Sequence, residues 1–496
     1  MSKRTATLPI TLPPRAGGVP AYRWLCGVLR GEILEGRLRP GARLPATRDL
    51  ARQYGLARGT ILAAFEQLRS EGYVRGRVGS GTYVHEVLPE QLLQVAGAGG
   101  TAKGAGRGTG RAPARRVSDF ARRVTSFPAE ERPVVRAFRA NQPALDLFPT
   151  TLWAQVAGRR VRRAGTRLLL DCDPMGWRPL QEAVAAYLVT SRGVVCAPEQ
   201  VAIVSGVQEA LDLAARLFVN PGDRVCLEEP GYVGAARVFE AHGARVCGVP
   251  VDAEGMTLPA ARLDDVRLAY VTPAHQFPLG VSMSLPRRLA LLEWARASGA
   301  LLFEDDYDAE YRFAGRPTPA LQGLDRHGVV LFAGSFSKVL FPALRLGYLV
   351  VPPDLVDRVA ALKSVTSRHA PLLEQAVLCD FITEGHFGRH VRRMREIYAA
   401  RLGVLLDGAA RHLTGLVEIA GIEAGLQTAA WLREGIGEDA AVRAAAARDL
   451  EVVPLGRYAR GRAARPGLQL GFAAVDEREL RRGTRELAAA LEGLRG

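Results

Sequence analysis

Lys338 stands in the string Ser335-Phe336-Ser337-Lys338, directly after the apolar run GVVLFAG. A lysine delivered by a buried strand is a primary amine kept from bulk water, and such an amine is a nucleophile toward carbonyl carbon. Thirty-three residues before it, Asp305-Asp306-Tyr307 closes a second apolar run, ALLFE, with a carboxylate and a phenol. IVSGVQ, at 203–208, passes from β-prone residues through a glycine into a helical stretch. Backbone N–H groups at Val207 and Gln208 therefore open a helix, an arrangement that binds anions. EEPGY ends at Tyr232, TPAHQFPLG ends at Gly280, and Arg345 lies seven residues beyond Lys338.

The elements that must position these groups repeat a β-turn-α pattern through residues 141–496, with QVAIVSG, DRVCLEEP, RLAYVTP, ALLFEDD and GVVLFAGS as the β-branched or apolar runs. That pattern predicts an α/β domain built on a mainly parallel sheet with helices on both faces. The length of this region suggests a smaller C-terminal α+β subdomain near 365–496. Asp306 and Asp308 read as exposed or turn-capping. The chain has 496 residues, 48% hydrophobic and 24% charged, which excludes a wholly disordered protein. No apolar stretch reaches membrane-spanning length, and the first residues, MSKRTATLPI, do not form a signal peptide. The expectation is a cytoplasmic protein with no membrane partner. Cysteines at 26, 172, 196, 226, 247 and 379 show no CxxC spacing, so neither a disulfide framework nor a metal site is expected.

The net charge of +15 is unevenly spread: residues 1–140 hold 24 Lys and Arg against 10 Asp and Glu. A region of that sign attracts a phosphate backbone through counterion release. Within it, residues 17–85 read as a small domain. Leu25, Val28, Leu29 and Ile33 recur at helical spacing until Gly36; ATRDLARQYG gives a short helix broken at Gly55; Ile61, Ala64, Phe65 and Leu68 share one face of another. Two short helices joined at a glycine form a helix-turn-helix, and YVRGRVGSGTYV adds a hairpin. Residues 86–140 are rich in Gly, Ala and Arg and read as a flexible basic linker.

The string LRPGARLPATRDLARQYGLARGTILAAFEQLRSEGYVRGRVGSGTYV resembles the winged helix of the GntR family of DNA-binding regulators. The resemblance implies a double-stranded DNA operator as partner. It puts Arg48, Arg58 and Thr60 at phosphates or base edges, with Gly79, Gly81 and Thr82 in a wing near the minor groove. An arginine opening the recognition helix either pairs with a guanine edge or holds phosphate.

The strings around Lys338, in their order, resemble class I aminotransferases of the fold-type I pyridoxal 5′-phosphate (PLP) enzymes, over roughly 145–490. That resemblance implies PLP joined to Lys338 as a Schiff base, Asp305 at its pyridine nitrogen and Tyr307 at its O3′ oxygen. The phosphate falls to backbone at Val207 and Gln208 with Ser335, Ser337 and Arg345. Tyr232 either stacks on the ring or is a core aromatic. The sequence also departs from the enzymes. Phe277 replaces the Asn that bonds O3′, and Leu468-Gln469-Leu470 lacks the Arg that grips a substrate carboxylate. Arg457, ahead of Arg465, is the substitute candidate. Asp171 stands where a Tyr reaches a neighbouring subunit's phosphate.

Together the two halves resemble the MocR/GabR subfamily of bacterial transcription regulators, including its Phe in place of Asn. The resemblance implies a homodimer whose PLP-binding domain senses PLP, an amine or an amino acid and controls operator binding, without sustained turnover. The alternative is an active aminotransferase carrying a DNA-binding appendage.

Overall fold

The computed structural model describes residues 8, 10, 12–15, 17–77, 81–86, 115–126, 134–258, 263–313, 319–419, 421–461 and 465–494. The chain divides into two compact units, residues 1–114 and 115–496.

In the first unit three helices, α1 (Ala21–Leu34), α2 (Thr47–Tyr54) and α3 (Arg58–Ser70), precede a hairpin of β1 (Val74–Arg77) and β2 (Gly81–Val84). The apolar periodicity explains the packing: Leu25, Leu29 and Ile33 of α1 meet Leu50 of α2 and Ile61, Phe65 and Leu68 of α3 in one core. Burying each such side chain contributes about 1.5–3 kcal/mol. Val28 is only half-buried. Gly55 ends α2 at φ 63°, a left-handed conformation that favours glycine, and Ala57 in extended geometry starts α3 three residues after α2 closes. This is the expected helix-turn-helix and wing. Gly79 lies outside the described residues.

The second unit is built on an eight-stranded sheet: β3 (Val201–Val204), β4 (Arg224–Glu229), β5 (Arg245–Asp252), β6 (Gly255–Met256), β7 (Val266–Val271), β8 (Leu301–Asp306), β9 (Val330–Ser335) and β10 (Gly347–Val350). Their spatial order is β3-β10-β9-β8-β7-β4-β5-β6. The run from β9 to β5 is parallel, as the β-turn-α pattern predicts, and the apolar residues of β4, β7, β8 and β9 are shared between two buried clusters, as in a sheet covered on both faces. β10 is antiparallel to both β3 and β9, so β3 runs the same way as the parallel strands. The carboxyl ends of β3, β4, β7, β8 and β9 therefore share one edge, where open α/β sheets bind ligands.

A second, antiparallel sheet follows: β11 (Val417–Ile419), β12 (Gln427–Leu432), β13 (Val453–Pro454) and β14 (Gly467–Gly471), in the order β11-β12-β14-β13. It belongs to the expected smaller C-terminal α+β part. The helices His386–His412 and Glu477–Glu492 supply its buried apolar faces.

The stretch before residue 141 differs from the linker expectation. Residues 87–114 and 127–133 of it lie outside the described residues, but Asp119–Arg123 is a helix capped by Ser118, and Phe120 lies edge-on to His242 at 4.9 Å. Ala137 and Phe138 are fully buried, and Phe138 pairs with Gly471 at the end of β14. The larger unit thus begins before 141. Two apolar residues in an arginine-rich run carry no periodicity, so their burial was not readable.

Candidate functional site

Lys338 follows β9 and Asp305 sits near the end of β8, its immediate neighbour in the sheet, so strand pairing brings their segments together. The lysine is half-buried and its Nζ donates to the Asn141 carbonyl at 2.5 Å. Burial pulls its amine down to about 8, against the opposing pull of Asp308 and Asp305. Asp305 is 5% exposed; its Oδ2 accepts from the Tyr270 hydroxyl at 2.7 Å, while its buried Oδ1 has no partner. Burial raises this carboxyl to about 7, with the Tyr270 hydrogen bond opposing.

Tyr307 comes two residues after Asp305, and its hydroxyl lies 3.0 Å from His275 Nδ1. Asp308 approaches the same nitrogen with both carboxylate oxygens, at 2.9 and 3.1 Å. Burial raises the Tyr307 phenol well above its ordinary range, and Asp308 and Asp305 add to it. Asp306 and Asp308 are not exposed turn residues. Asp306 is buried in a two-pronged ion pair with Arg192, at 2.6 and 3.2 Å, and Asp308 is 1% exposed against His275. Strand alternation explains Asp306: it points to the sheet face opposite Asp305.

At the other end of the site, Gly206 at φ 129° turns the chain from β3 into the helix Val207–Phe218. A side chain on Gly206 would meet the Arg345 guanidinium at 3.6 Å, so the helix N-terminus and that cation face one region. Gly347 lies between the two strand ends: a Cβ there would fall 2.6 Å from the Gly334 carbonyl and 3.2 Å from Gly206 Cα. Ser337 N donates to Ser335 Oγ at 3.1 Å, and Gln208 Nε2 donates to the Tyr232 hydroxyl at 2.7 Å.

One cavity of about 530 Å3 collects these groups. Lys338, Asp305, Tyr307, Val207, Gln208, Tyr232, Ser335, Ser337, Arg345 and Arg457 all line it. Arg465 does not; it pairs with Glu418 at 2.5 Å and covers the Trp431 ring. Phe277 lines the wall, edge-on to Tyr232, Tyr307 and Tyr458. Gln469, in the Leu468-Gln469-Leu470 string without a carboxylate-binding Arg, is buried and accepts from the Tyr458 hydroxyl at 2.7 Å. Asp171 is exposed, 3.6 Å from Arg368.

The sequence reading missed Asn141, Tyr270, Arg237 and Tyr458, which also line the cavity, and the His275–Asp308 pair behind Tyr307. Tyr270 lies inside an apolar strand and looks like core. Asn141 lies in a segment with no regular structure and meets Lys338 only through chain folding. His275 was visible in TPAHQFPLG, but nothing local marks its partner 33 residues on.

In the first unit, Arg48 on α2 and Arg58 at the first position of α3 are exposed and have no acidic partner among the described residues. Thr60 is half-buried in the first turn of α3. Gly81 and Thr82 open β2, and a side chain on Gly81 would meet Arg43 Nε at 3.1 Å.

Two family models match the chain: bacterial regulatory proteins of the gntR family over residues 22–84, and aminotransferase class I and II over residues 138–423. A probable rhizopine catabolism regulatory protein, MocR, from Rhizobium meliloti is 39% identical over 481 residues, covering 97% of this chain and 95% of that protein. The pyridoxine biosynthesis transcriptional regulator PdxR of Corynebacterium glutamicum is 30% identical over 482 residues, covering 96% and 97%. Among solved structures, LysN, the α-aminoadipate aminotransferase of Thermus thermophilus, complexed with N-(5′-phosphopyridoxyl)-L-leucine, matches with a TM-score of 0.70 and 30% identity. That match covers 76% of this chain and 97% of LysN.

Proposed function

This chain belongs to the MocR/GabR-type regulators, a GntR-family winged helix fused to an aminotransferase class I and II domain, and on that footing we propose that it is a PLP-dependent transcriptional regulator. Its larger unit binds PLP and a small amine or amino acid, and that occupancy sets how the N-terminal unit holds its operator. The observation that carries this reading is the convergence of ten separately identified residues, from Val207 to Arg457, on one cavity.

The residues present fit PLP. The unpartnered, buried Oδ1 of Asp305 is an acceptor awaiting a donor, which a protonated ring nitrogen supplies. The N-terminus of the helix Val207–Phe218, with Arg345 and the hydroxyls of Ser335 and Ser337, suits a phosphate dianion. When bound, PLP supplies an electrophilic carbon for amines and an electron-withdrawing ring. Lys338, kept partly neutral by burial, holds the cofactor covalently. Tyr232 bounds the cavity with its hydroxyl fixed by Gln208, Phe277 keeps water from that wall, and Arg457 at the rim meets an effector carboxylate.

Operator contact rests on Arg48, Arg58 and Thr60 of the helix-turn-helix and on Gly79, Gly81 and Thr82 of the wing. A homodimer in the cytoplasm fits both tasks, since paired winged helices read two half-sites. An effector shifts operator affinity only if it binds the DNA-competent and DNA-incompetent states unequally. Among the described residues, no helix is long and apolar enough to cross a membrane.

A second reading, an active aminotransferase with a DNA-binding appendage, draws support from the likeness to LysN. Phe277 in place of the enzymes' Asn, and a Leu468-Gln469-Leu470 string without their Arg, weigh against it. Footprinting on DNA beside the protein's own gene, with and without PLP and candidate amines, tests the regulator. Protection that ignores both ligands, together with sustained conversion of amino donors and 2-oxo acids, would favour the enzyme.

A further inference from the structure

His275 occupies a slot closed by backbone. A Cβ on Gly425 would fall 2.0 Å from its Cε1, and one on Gly280 would fall 3.2 Å from its Nε2. The ring is 3% exposed, and Nε2 has no hydrogen-bond partner. Its other nitrogen is crowded: Nδ1 has Asp308 Oδ1 at 2.9 Å, Asp308 Oδ2 at 3.1 Å and the Tyr307 oxygen at 3.0 Å.

A neutral imidazole carries one N–H. If the proton were on Nε2, an orphaned donor would face the dry slot, and the Nδ1 lone pair would oppose two carboxylate oxygens. With the proton on Nδ1, Asp308 accepts it, and only an unfilled lone pair remains in the slot. Buried acceptors tolerate that better than buried donors do. Nδ1 then has no lone pair to accept the Tyr307 hydrogen. The Tyr307 oxygen sits as a side acceptor of the Nδ1–H, and its own hydrogen turns elsewhere.

We infer that His275 and Asp308 form a positioning pair that fixes Tyr307 as a hydrogen-bond donor into the Lys338–Asp305 cavity, toward the phenolic oxygen of the cofactor. The inference rests on the PLP reading above and gives it a specific device. Phe277 supplies no polar group at this wall, so the burden of holding that oxygen falls on Tyr307. The ring edge of Phe277 and the stacked His275 ring, centroid 5.8 Å away, limit how the phenol turns. The acidic groups that raise the Tyr307 phenol are Asp308, Asp305 and Glu228, Gln427 opposes them, and Asp308 and Asp305 also act on Lys338.

The test uses the full-length chain loaded with PLP, read by the pH midpoint of its cofactor absorbance. A donor at the phenolic oxygen favours the proton-poor form, so losing it raises the midpoint. Tyr307→Phe is expected to raise it by about one pH unit, the scale of one hydrogen bond. His275→Leu moves it the same way, and His275→Leu/Tyr307→Phe moves it no further than Tyr307→Phe. His275→Asn, whose amide nitrogen replaces Nδ1 as donor to Asp308, stays near the parent. A His275→Leu midpoint equal to the parent, beside a shifted Tyr307→Phe, overturns the inference and leaves PLP binding standing. Failure of the parent chain to take up PLP overturns the functional reading instead. If His275→Leu does not fold, 15N-histidine NMR of the parent decides: His275 must show a protonated Nδ1 and a bare Nε2, and the reverse assignment overturns the inference.

Discussion

The Tyr270 hydroxyl donates to Asp305 Oδ2 at 2.7 Å from the adjacent strand, leaving Oδ1 of the same carboxylate without a partner. Half of Asp305 is thus anchored and half is presented. Burial is the main force driving its carboxyl up, and the tyrosine hydrogen bond is the largest influence that offsets it.

Tyr270→Phe removes that offset. Asp305 then rises above about 7, is protonated over more of the neutral range, and no longer pairs with a ring N–H as an anion. PLP affinity is expected to fall about tenfold at pH 7, the worth of one hydrogen bond to a charged group. Spectrophotometric titration of cofactor-free protein checks it, with the loss shrinking as pH rises.

Lys338 reacts as the free amine, and burial brings its pKa down to about 8. The sign follows: below that pH the amine is protonated and inert, above it neutral. The rate of covalent PLP uptake should climb through pH 8 and then level. Borohydride trapping and peptide mass spectrometry should place the cofactor on the peptide holding residue 338, and Lys338→Ala should abolish it. A rate flat across this window would contradict the assignment.

Arg457 lines the cavity and is exposed. Arg457→Ala should leave PLP content unchanged but erase the preference of the loaded protein for amines bearing a carboxylate over those without one. The loss is expected at about tenfold or more, as for a charge-assisted pair. Spectral titration with matched amino acids and simple amines measures it.

Arg58 begins α3 with its side chain exposed. Arg58→Ala should weaken operator binding by about 1–3 kcal/mol if it reads a base, with relaxed specificity at one position. If it only holds phosphate, all sequences weaken alike and the salt slope falls by about one. Binding curves at several salt concentrations separate the two, and PLP content should not change.

Phe138 is fully buried and pairs with Gly471. Phe138→Ala should destabilise the larger unit by about 3–5 kcal/mol, the usual cost of emptying a buried phenylalanine site. Thermal unfolding followed through the cofactor signal reports that unit alone. A change under about 1 kcal/mol, the size of an ordinary surface substitution, would return Phe138 to the linker.

The strings around Lys338, Asp305 and Val207 were legible because each is local: an apolar strand, a turn, and a reactive group at a fixed offset from the strand's end. The winged helix was legible for the same reason, since Leu25, Leu29, Ile61 and Leu68 recur at the helical period. The sequence by itself therefore determined the winged helix, the parallel-sheet body and ten residues of the cavity, but not where the larger unit begins. Tertiary structure alone decided what those residues touch. Tyr270 reaches Asp305 only because β7 pairs with β8, His275 and Asp308 meet across 33 residues, and Asn141 meets Lys338 across 197. Phe138 enters the core although Arg136 and Arg139 stand close on either side of it. Local pattern encodes periodicity and turn chemistry, which depend on neighbours in sequence. Hydrogen-bond partners and burial depend on strand order and register, and those are set by the packing of the whole sheet.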